Sequence, residues 1–135
     1  MSNLITRSIT KNVDINAPIE KVFNFLVNPL NWPGYAVVNL KSVSKGSDGW
    51  FNMTTKFGQG QIKMLAEKTK GILDHTWKDP QATWTVFARV VPNGQGSTFM
   101  MTFFQPPIMT NEIFDEAMKD MDVEMAKLKE ILEER

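Results

Sequence analysis

The sequence predicts an α+β domain in which a first strand and a pair of short helical segments precede six more strands and a long C-terminal helix. Three observations carry this. Apolar residues alternate at the start and then switch to helical spacing after Ala17; turn signals recur through residues 36–105 with no helical period; and a continuous apolar stripe marks the last segment.

In "ITRSITKNVDINA", Ile5, Ile9, Val13 and Ile15 fall on one side and Thr6, Ser8, Thr10, Asn12 and Asp14 on the other. This predicts a strand with one buried face, which Arg7 and Lys11 interrupt. In "APIEKVFNFLVNP" the period changes: Ile19, Val22, Phe23 and Leu26 are spaced for a helix, Pro18 suits its first turn and Pro29 ends it. "LNWPGY" follows as a turn-rich connector with another helical turn, carrying Trp32 and Tyr35.

The turn signals "KGSDG", "FGQGQ", "TKG", "KDPQ" and "VPNGQGS" leave room for strands near 36–44, 50–57, 60–69, 72–78, 82–91 and 97–105. Connections this short imply an antiparallel meander. "PPIMTNEIFDEAMKDMDVEMAKLKEILEER" reads as one helix with Thr110 as N-cap. Ile113, Phe114, Ala117, Met118, Met121, Met125, Leu128 and Leu132 form its stripe, and Glu112, Asp115, Glu116 and Lys119 read as a solvated face. At about 1.5 Å per residue such a helix is on the order of 35 Å long, enough to span a sheet.

A chain of 135 residues, 42% hydrophobic and 22% charged, fits a single domain over residues 1–135. Fifteen basic and fifteen acidic residues cancel, so no net field draws nucleic acid or anionic lipid, and neither is an expected partner. No window approaches the ~18 apolar residues of a membrane span. "MSNLITRSIT" has no apolar core behind a basic start, and there is no Cys, so a cytoplasmic protein without disulfides or thiolate metal sites is expected, as monomer or homodimer. One His and no carboxylate cluster at ligand spacing argue against a metal, no GxxxxGK[ST] run cradles phosphate, and no cofactor is expected.

Alternation also separates inside from outside. A two-residue turn at Lys70-Gly71 sets Ala66 opposite His75 and Met64 opposite Trp77, with Ile62, Leu73, His75 and Trp77 on one apolar face. That register places Glu67 against Asp74 and Lys63 against Lys78, both unfavourable, so a slip of two residues, which keeps the faces, is the competing pairing. Beyond the Asn93-Gly94 turn, Trp84, Val86, Ala88 and Val90 share a face with Phe99, Met101 and Phe103, while Arg89 points outward. Phe51, Met53 and Phe57 form a similar face, and Trp50 reads as a sheet-edge residue.

The only histidine, His75 in "KGILDHTWKD", is thus directed inward. Asp74 points to the opposite face and cannot orient it within a regular strand. Asp79 shares the face, but four residues at about 3.3 Å each put it roughly 13 Å away. Three roles stay open: a hydrogen-bonded core residue, a ligand anchor, or a general acid or base. Burial lowers its pKa, and a neutral ring can donate to a carbonyl or hydroxyl.

The strand ending in Ala17-Pro18, the amphipathic helix, Asn28-Pro29 and Trp32 in "VDINAPIEKVFNFLVNPLNWPGY", with the order β-α-α-β-β-β-β-β-β-α, resemble the START-like superfamily, also called Bet v 1-like or SRPBCC. The resemblance implies a helix-grip fold: a curved antiparallel seven-stranded sheet wrapped around the C-terminal helix, enclosing an apolar cavity. It also implies a range of functions, from polyketide cyclases and lipid carriers to co-chaperone domains. "KGSDGW" lacks the glycine richness of the loop plant members carry there.

The function expected on this basis is binding of a small apolar or aromatic molecule, such as a lipid, quinone or polyketide-like compound. His75 fixes a polar group, and Trp32, Met53, Met64, Trp77, Trp84, Phe99, Met101, Phe103 and Met118 line the wall. Methionine suits an adaptable wall, although Met and Phe at these spacings serve equally well as core. The alternatives are a metal-free cyclase or dehydratase with His75 as acid/base, and a protein-interaction module whose cavity is filled by its own side chains.

Overall fold

A computed structural model describes residues 5–134; residues 1–4, which open the N-terminal stretch, and residue 135, the last of the predicted helix, lie outside it. Seven strands form one antiparallel sheet: β1 (Ser8–Ile15), β2 (Leu40–Lys45), β3 (Trp50–Thr55), β4 (Gly58–Met64), β5 (His75–Lys78), β6 (Thr83–Asn93) and β7 (Gly96–Phe104). The spatial order is β1-β7-β6-β5-β4-β3-β2, so β2 to β7 run as a meander and β1 closes against β7. Helix α1 (Ile19–Leu26) and a 3₁₀ segment, Pro29–Gly34, follow β1, and α2 (Asn111–Glu133) ends the chain. This is the predicted α+β order, with a seven-stranded sheet and a long C-terminal helix.

β1 alternates as predicted, with Ile9, Val13 and Ile15 turned inward. Ile5 lies outside the strand and is exposed. Arg7 and Lys11, which interrupt the apolar side, reach acidic residues of α2: Arg7 pairs with Asp115 and Lys11 with Asp122. Asp115 is therefore a tether to the N-terminal segment as well as a solvated group.

The chain turns from β1 into α1 at Ala17, whose carbonyl accepts the buried Ser97 hydroxyl at 2.7 Å. α1 buries Val22, Phe23 and Leu26. The 3₁₀ segment is pinned twice: Asn28 Oδ1 accepts Leu30 N–H, and Trp32 Nε1 donates to the Leu26 carbonyl at 2.9 Å. Residues 36–39, predicted to begin a strand, lie outside it, and 37–39 form a turn instead. The Ala36 amide bonds to Trp32 O and the Leu40 amide to Ala36 O, while the Val38 and Asn39 amides are taken by a side chain of α2.

The β4–β5 connection corrects the two-residue turn. Glu67 and Ile72 exchange both backbone hydrogen bonds, and residues 68–71 form a four-residue loop. Lys68–Lys70 makes a 3₁₀ turn, and Gly71 follows it at φ 67°. A Cβ on Gly71 would meet the Val90 carbonyl oxygen at 2.2 Å, so the left-handed turn requires glycine. The register is consequently slipped by two: Met64 faces His75, Ile62 faces Trp77 and Lys63 faces Thr76. Both like-charge pairings disappear and the faces are kept.

Trp50 does not sit at an edge, because β3 lies between β2 and β4; its ring carries the Lys78 ammonium at 4.3 Å from the centroid. α2 starts at Asn111, with Thr110 accepting the Ile113 amide as N-cap. Its inner face buries Phe114, Met118, Met125, Leu128 and Leu132, whereas Ile113 is exposed. Full burial of side chains of this size stabilises the helix-on-sheet packing by about 1.5–3 kcal/mol each. Asp120 and Glu124 are buried on the same helix.

Candidate functional site

A cavity of about 250 Å³ is lined by the inner faces of β3 to β7, by α2 and by the segment after α1. Of the residues expected at its wall, Trp32, Met53, His75, Trp77, Trp84, Met101, Phe103 and Met118 line it. Met64 and Phe99 do not. Phe99 is buried opposite Val90 and Val13, and Met64 packs against the core beside His75. A second recess, of about 500 Å³, lies on the outer face of β2 to β5 and is lined mainly by polar side chains such as Ser42, Asn52, Gln61 and Lys78. The inner cavity has the apolar wall that a small-molecule site needs.

His75 is held by a local departure from regular pairing. The Leu73 amide bonds to the Ala88 carbonyl at 2.9 Å, but the Ala88 amide donates to Asp74 Oδ1 at 2.8 Å, not to the Leu73 carbonyl. The Leu73 carbonyl is left to pair with His75 Nδ1 at 3.0 Å. A carbonyl only accepts, so Nδ1 carries the hydrogen and Nε2 of the neutral ring is an acceptor. Asp74 thus positions His75 through the backbone, contrary to the expectation for a regular strand. The expectation that the ring donates to a ligand is corrected as well, since its one hydrogen is already used.

Burial holds the His75 pKa below its ordinary 6.5, against opposing contributions from the Leu73 carbonyl and Asp74. Trp32 meets the imidazole edge-on, 5.1 Å between centroids, and its ring centroid lies 6.4 Å from that of Tyr35. No carboxylate hydrogen-bonds to His75 among the described residues.

The polar groups that sequence reasoning missed come from α2 and the connector. Glu124 is 2% exposed and lines the cavity. Its Oε2 accepts the Val38 amide at 3.0 Å and the Asn39 amide at 2.8 Å. Burial raises its pKa, the Asn39 and Val38 donors pull it down, and neighbouring Asp120 pushes it up again; the balance is a rise. Asp120 is itself paired with Lys56. The Tyr35 phenol, buried and close to Glu124, has its pKa pushed upward and stays protonated. The spacing 117, 121, 124, 128 puts Glu124 on the apolar stripe, and this was the available signal.

Trp77 is fixed by its turn. Asp79 Oδ2 accepts the indole N–H at 2.7 Å, while Oδ1 accepts the Gln81 and Ala82 amides at 2.8 and 2.9 Å. Burial pushes Asp79 up, but these three donors outweigh it and hold the carboxyl below its usual value. The indole lies over Gly60, where a Cβ would come within 2.3 Å of it. Trp84 stands beside Trp77 at 6.1 Å between centroids.

Among the described residues no group of three or more His, Cys, Asp or Glu side chains is placed to hold a metal ion, and no helix is long and apolar enough to cross a membrane.

No family model matches the chain, and no curated protein is significantly similar to it in sequence. Solved structures are similar in fold. An uncharacterised protein from Bacillus thuringiensis superposes with a TM-score of 0.76 at 9% identity, covering 95% of this chain and 100% of the other. The Aha1 dimer from Colwellia psychrerythraea gives 0.76 at 13% identity, covering 94% and 96%. Ara h 8.0201 gives 0.66 at 10% identity, covering 94% and 97%. At such identities the likeness extends to architecture alone: the chain has the Bet v 1-like helix-grip fold, an antiparallel seven-stranded sheet with a long C-terminal helix.

Proposed function

We propose that this protein binds a compact apolar or aromatic molecule between its sheet and α2. The observation that carries the reading is the cavity itself: a wall of Trp, Met and Phe side chains with His75, Tyr35 and Glu124 among its few polar members. Its volume of about 250 Å³ falls below the ~300–1,000 Å³ of pockets for drug-sized ligands, which favours a small ring system over a long lipid. The cavity favours binding over an interaction module filled by its own side chains. A cyclase or dehydratase is less well supported, because His75 is buried, has its pKa lowered and lacks a carboxylate partner. The absence of cysteine suits action in the cytoplasm.

The test is titration with prodan, a neutral naphthalene dye whose emission shifts to the blue in apolar surroundings. Saturable binding, lost in Met118→Trp and Met101→Trp variants that fill the cavity, is the expected result. A wild-type protein that neither binds prodan nor gains thermal stability from any small aromatic would sink the reading.

A further inference from the structure

We infer that the cavity recognises, at His75, a hydroxyl group that donates a hydrogen bond, so that the ligand is an apolar alcohol or phenol and not a carboxylate or an ether. The inference rests on the binding reading above and adds the chemistry of the head group.

The argument starts from the hydrogen bond between His75 and Leu73 at 3.0 Å. Because the carbonyl fixes the hydrogen on Nδ1, the neutral ring offers its Nε2 lone pair, and an acceptor is satisfied only by a donor. Nε2 has no partner within the protein among the described residues, and His75 is 5% exposed and lines the cavity. Among the described residues no fully buried side-chain nitrogen or oxygen lacks a partner, so Nε2 is open to the cavity, and a ligand that displaces solvent from it must supply a donor or leave the acceptor unpaired.

The second observation is independent of the histidine. Glu124 brings a carboxylate to the same cavity, with Asp120 nearby on α2. Both backbone amides that reach Glu124 bond to a single oxygen, Oε2. An anionic ligand head meets an acceptor and a carboxyl group here and no basic side chain, since the cavity is lined by no Lys or Arg. The Tyr35 phenol, which also lines the cavity, remains a donor as well as an acceptor. A hydroxyl gives a hydrogen bond to Nε2 and keeps its oxygen free to accept one from another donor. An ammonium cannot accept and an ether cannot donate.

The experiment is calorimetric titration of the intact protein near neutral pH with 2-naphthol, 2-naphthylmethanol, 2-methoxynaphthalene and 2-naphthoate, which share one apolar body. The two hydroxyl compounds are expected to bind at least about tenfold more tightly than the methyl ether, with naphthoate weakest; their ratio distinguishes a phenol from an alcohol ligand. In ¹⁵N-histidine-labelled protein, 2-naphthol should shift the Nε2 resonance of His75, whereas the ether leaves it in place. His75→Phe, checked for folding by its melting curve, should bring the ether and the hydroxyl compounds to within about threefold of one another.

Equal or tighter binding of the ether, tightest binding of naphthoate, or an unmoved Nε2 resonance would overturn the inference and leave the cavity reading standing. Failure of every naphthalene and of prodan to bind would remove both.

Discussion

Asp74 and His75 are adjacent in sequence, face opposite sides of the chain, and are still coupled. Asp74 takes the Ala88 amide, and this releases the Leu73 carbonyl to hold His75 Nδ1. A side chain has replaced a backbone acceptor in the β5–β6 ladder, and the displaced acceptor fixes the imidazole tautomer. In Asp74→Ala the Ala88 amide has only the Leu73 carbonyl to turn to, so it competes with the ring. The variant should lose about 1–3 kcal/mol of stability, and its His75 should show both neutral tautomers. Long-range ¹H–¹⁵N spectra of the imidazole check this; a single Nδ1–H form persisting in the variant would separate the two residues.

The burial of His75 makes stability depend on pH in a definite direction. Its folded pKa lies below the ordinary 6.5, so as pH falls through that value the unfolded chain takes up a proton and the folded protein does not. Stability that is present above about pH 6.5 is therefore lost on acidification, by up to about 1.4 kcal/mol per pH unit until the folded pKa is reached. Urea denaturation at about pH 7.5 and about pH 5.5 measures the slope, and His75→Phe should be flatter over that interval. Parallel curves for the two proteins would mean that His75 is as accessible to protons folded as unfolded.

Much of the architecture was legible because it follows from periodicity. Ile19, Val22, Phe23 and Leu26 announced α1, and Phe114, Met118, Met125, Leu128 and Leu132 announced the buried face of α2; both signals repeat over several turns. The β4–β5 register was legible only as a conflict. Lys63 against Lys78 argued against the tight turn, but nothing local disclosed that residues 68–71 form the loop. The site was read half correctly for the same reason. Alternation directed His75, Trp77 and Met101 inward, whereas the partner of a buried polar atom lies elsewhere in the chain: Glu124 and the Val38 amide are 86 positions apart. A carboxylate on an apolar stripe was the visible clue, and its meaning depended on a connector whose path no period describes.

Glu124 should behave opposite to His75. Burial raises its carboxyl above the ordinary 4.5, so the unfolded chain releases this proton first as pH rises, and the charged form opposes folding above that window. Glu124→Gln keeps an oxygen for the Val38 and Asn39 amides and removes the charge. Its stability relative to wild type should therefore increase as pH is raised from about 4 through the raised pKa. Glu124→Ala should be less stable than either at neutral pH, by about 1–3 kcal/mol for each amide left unpaired. Melting temperatures of the three proteins across this range test the order; a wild type that gains on the Gln variant with rising pH would reverse the assigned direction.

Gly60 tests whether the wall around Trp77 is built or incidental. The residue is in the extended β4 strand, pairs with Met53, and faces the cavity side of the sheet, so a side chain there would ordinarily be welcome. The Trp77 indole occupies that space and donates to Asp79 at 2.7 Å. Gly60→Ala forces the indole away, and should cost about 1–3 kcal/mol through overpacking while breaking the Asp79 bond. Asp79→Ala breaks the same bond with no steric clash, and also leaves the Gln81 and Ala82 amides without their acceptor. Both variants should lose hydrogen-exchange protection at the Trp77 indole N–H, but only Gly60→Ala should displace the ring enough to change Trp77–Trp84 packing and weaken prodan binding. Equal effects of the two on binding would show that Asp79, not the missing Cβ, holds the wall in place.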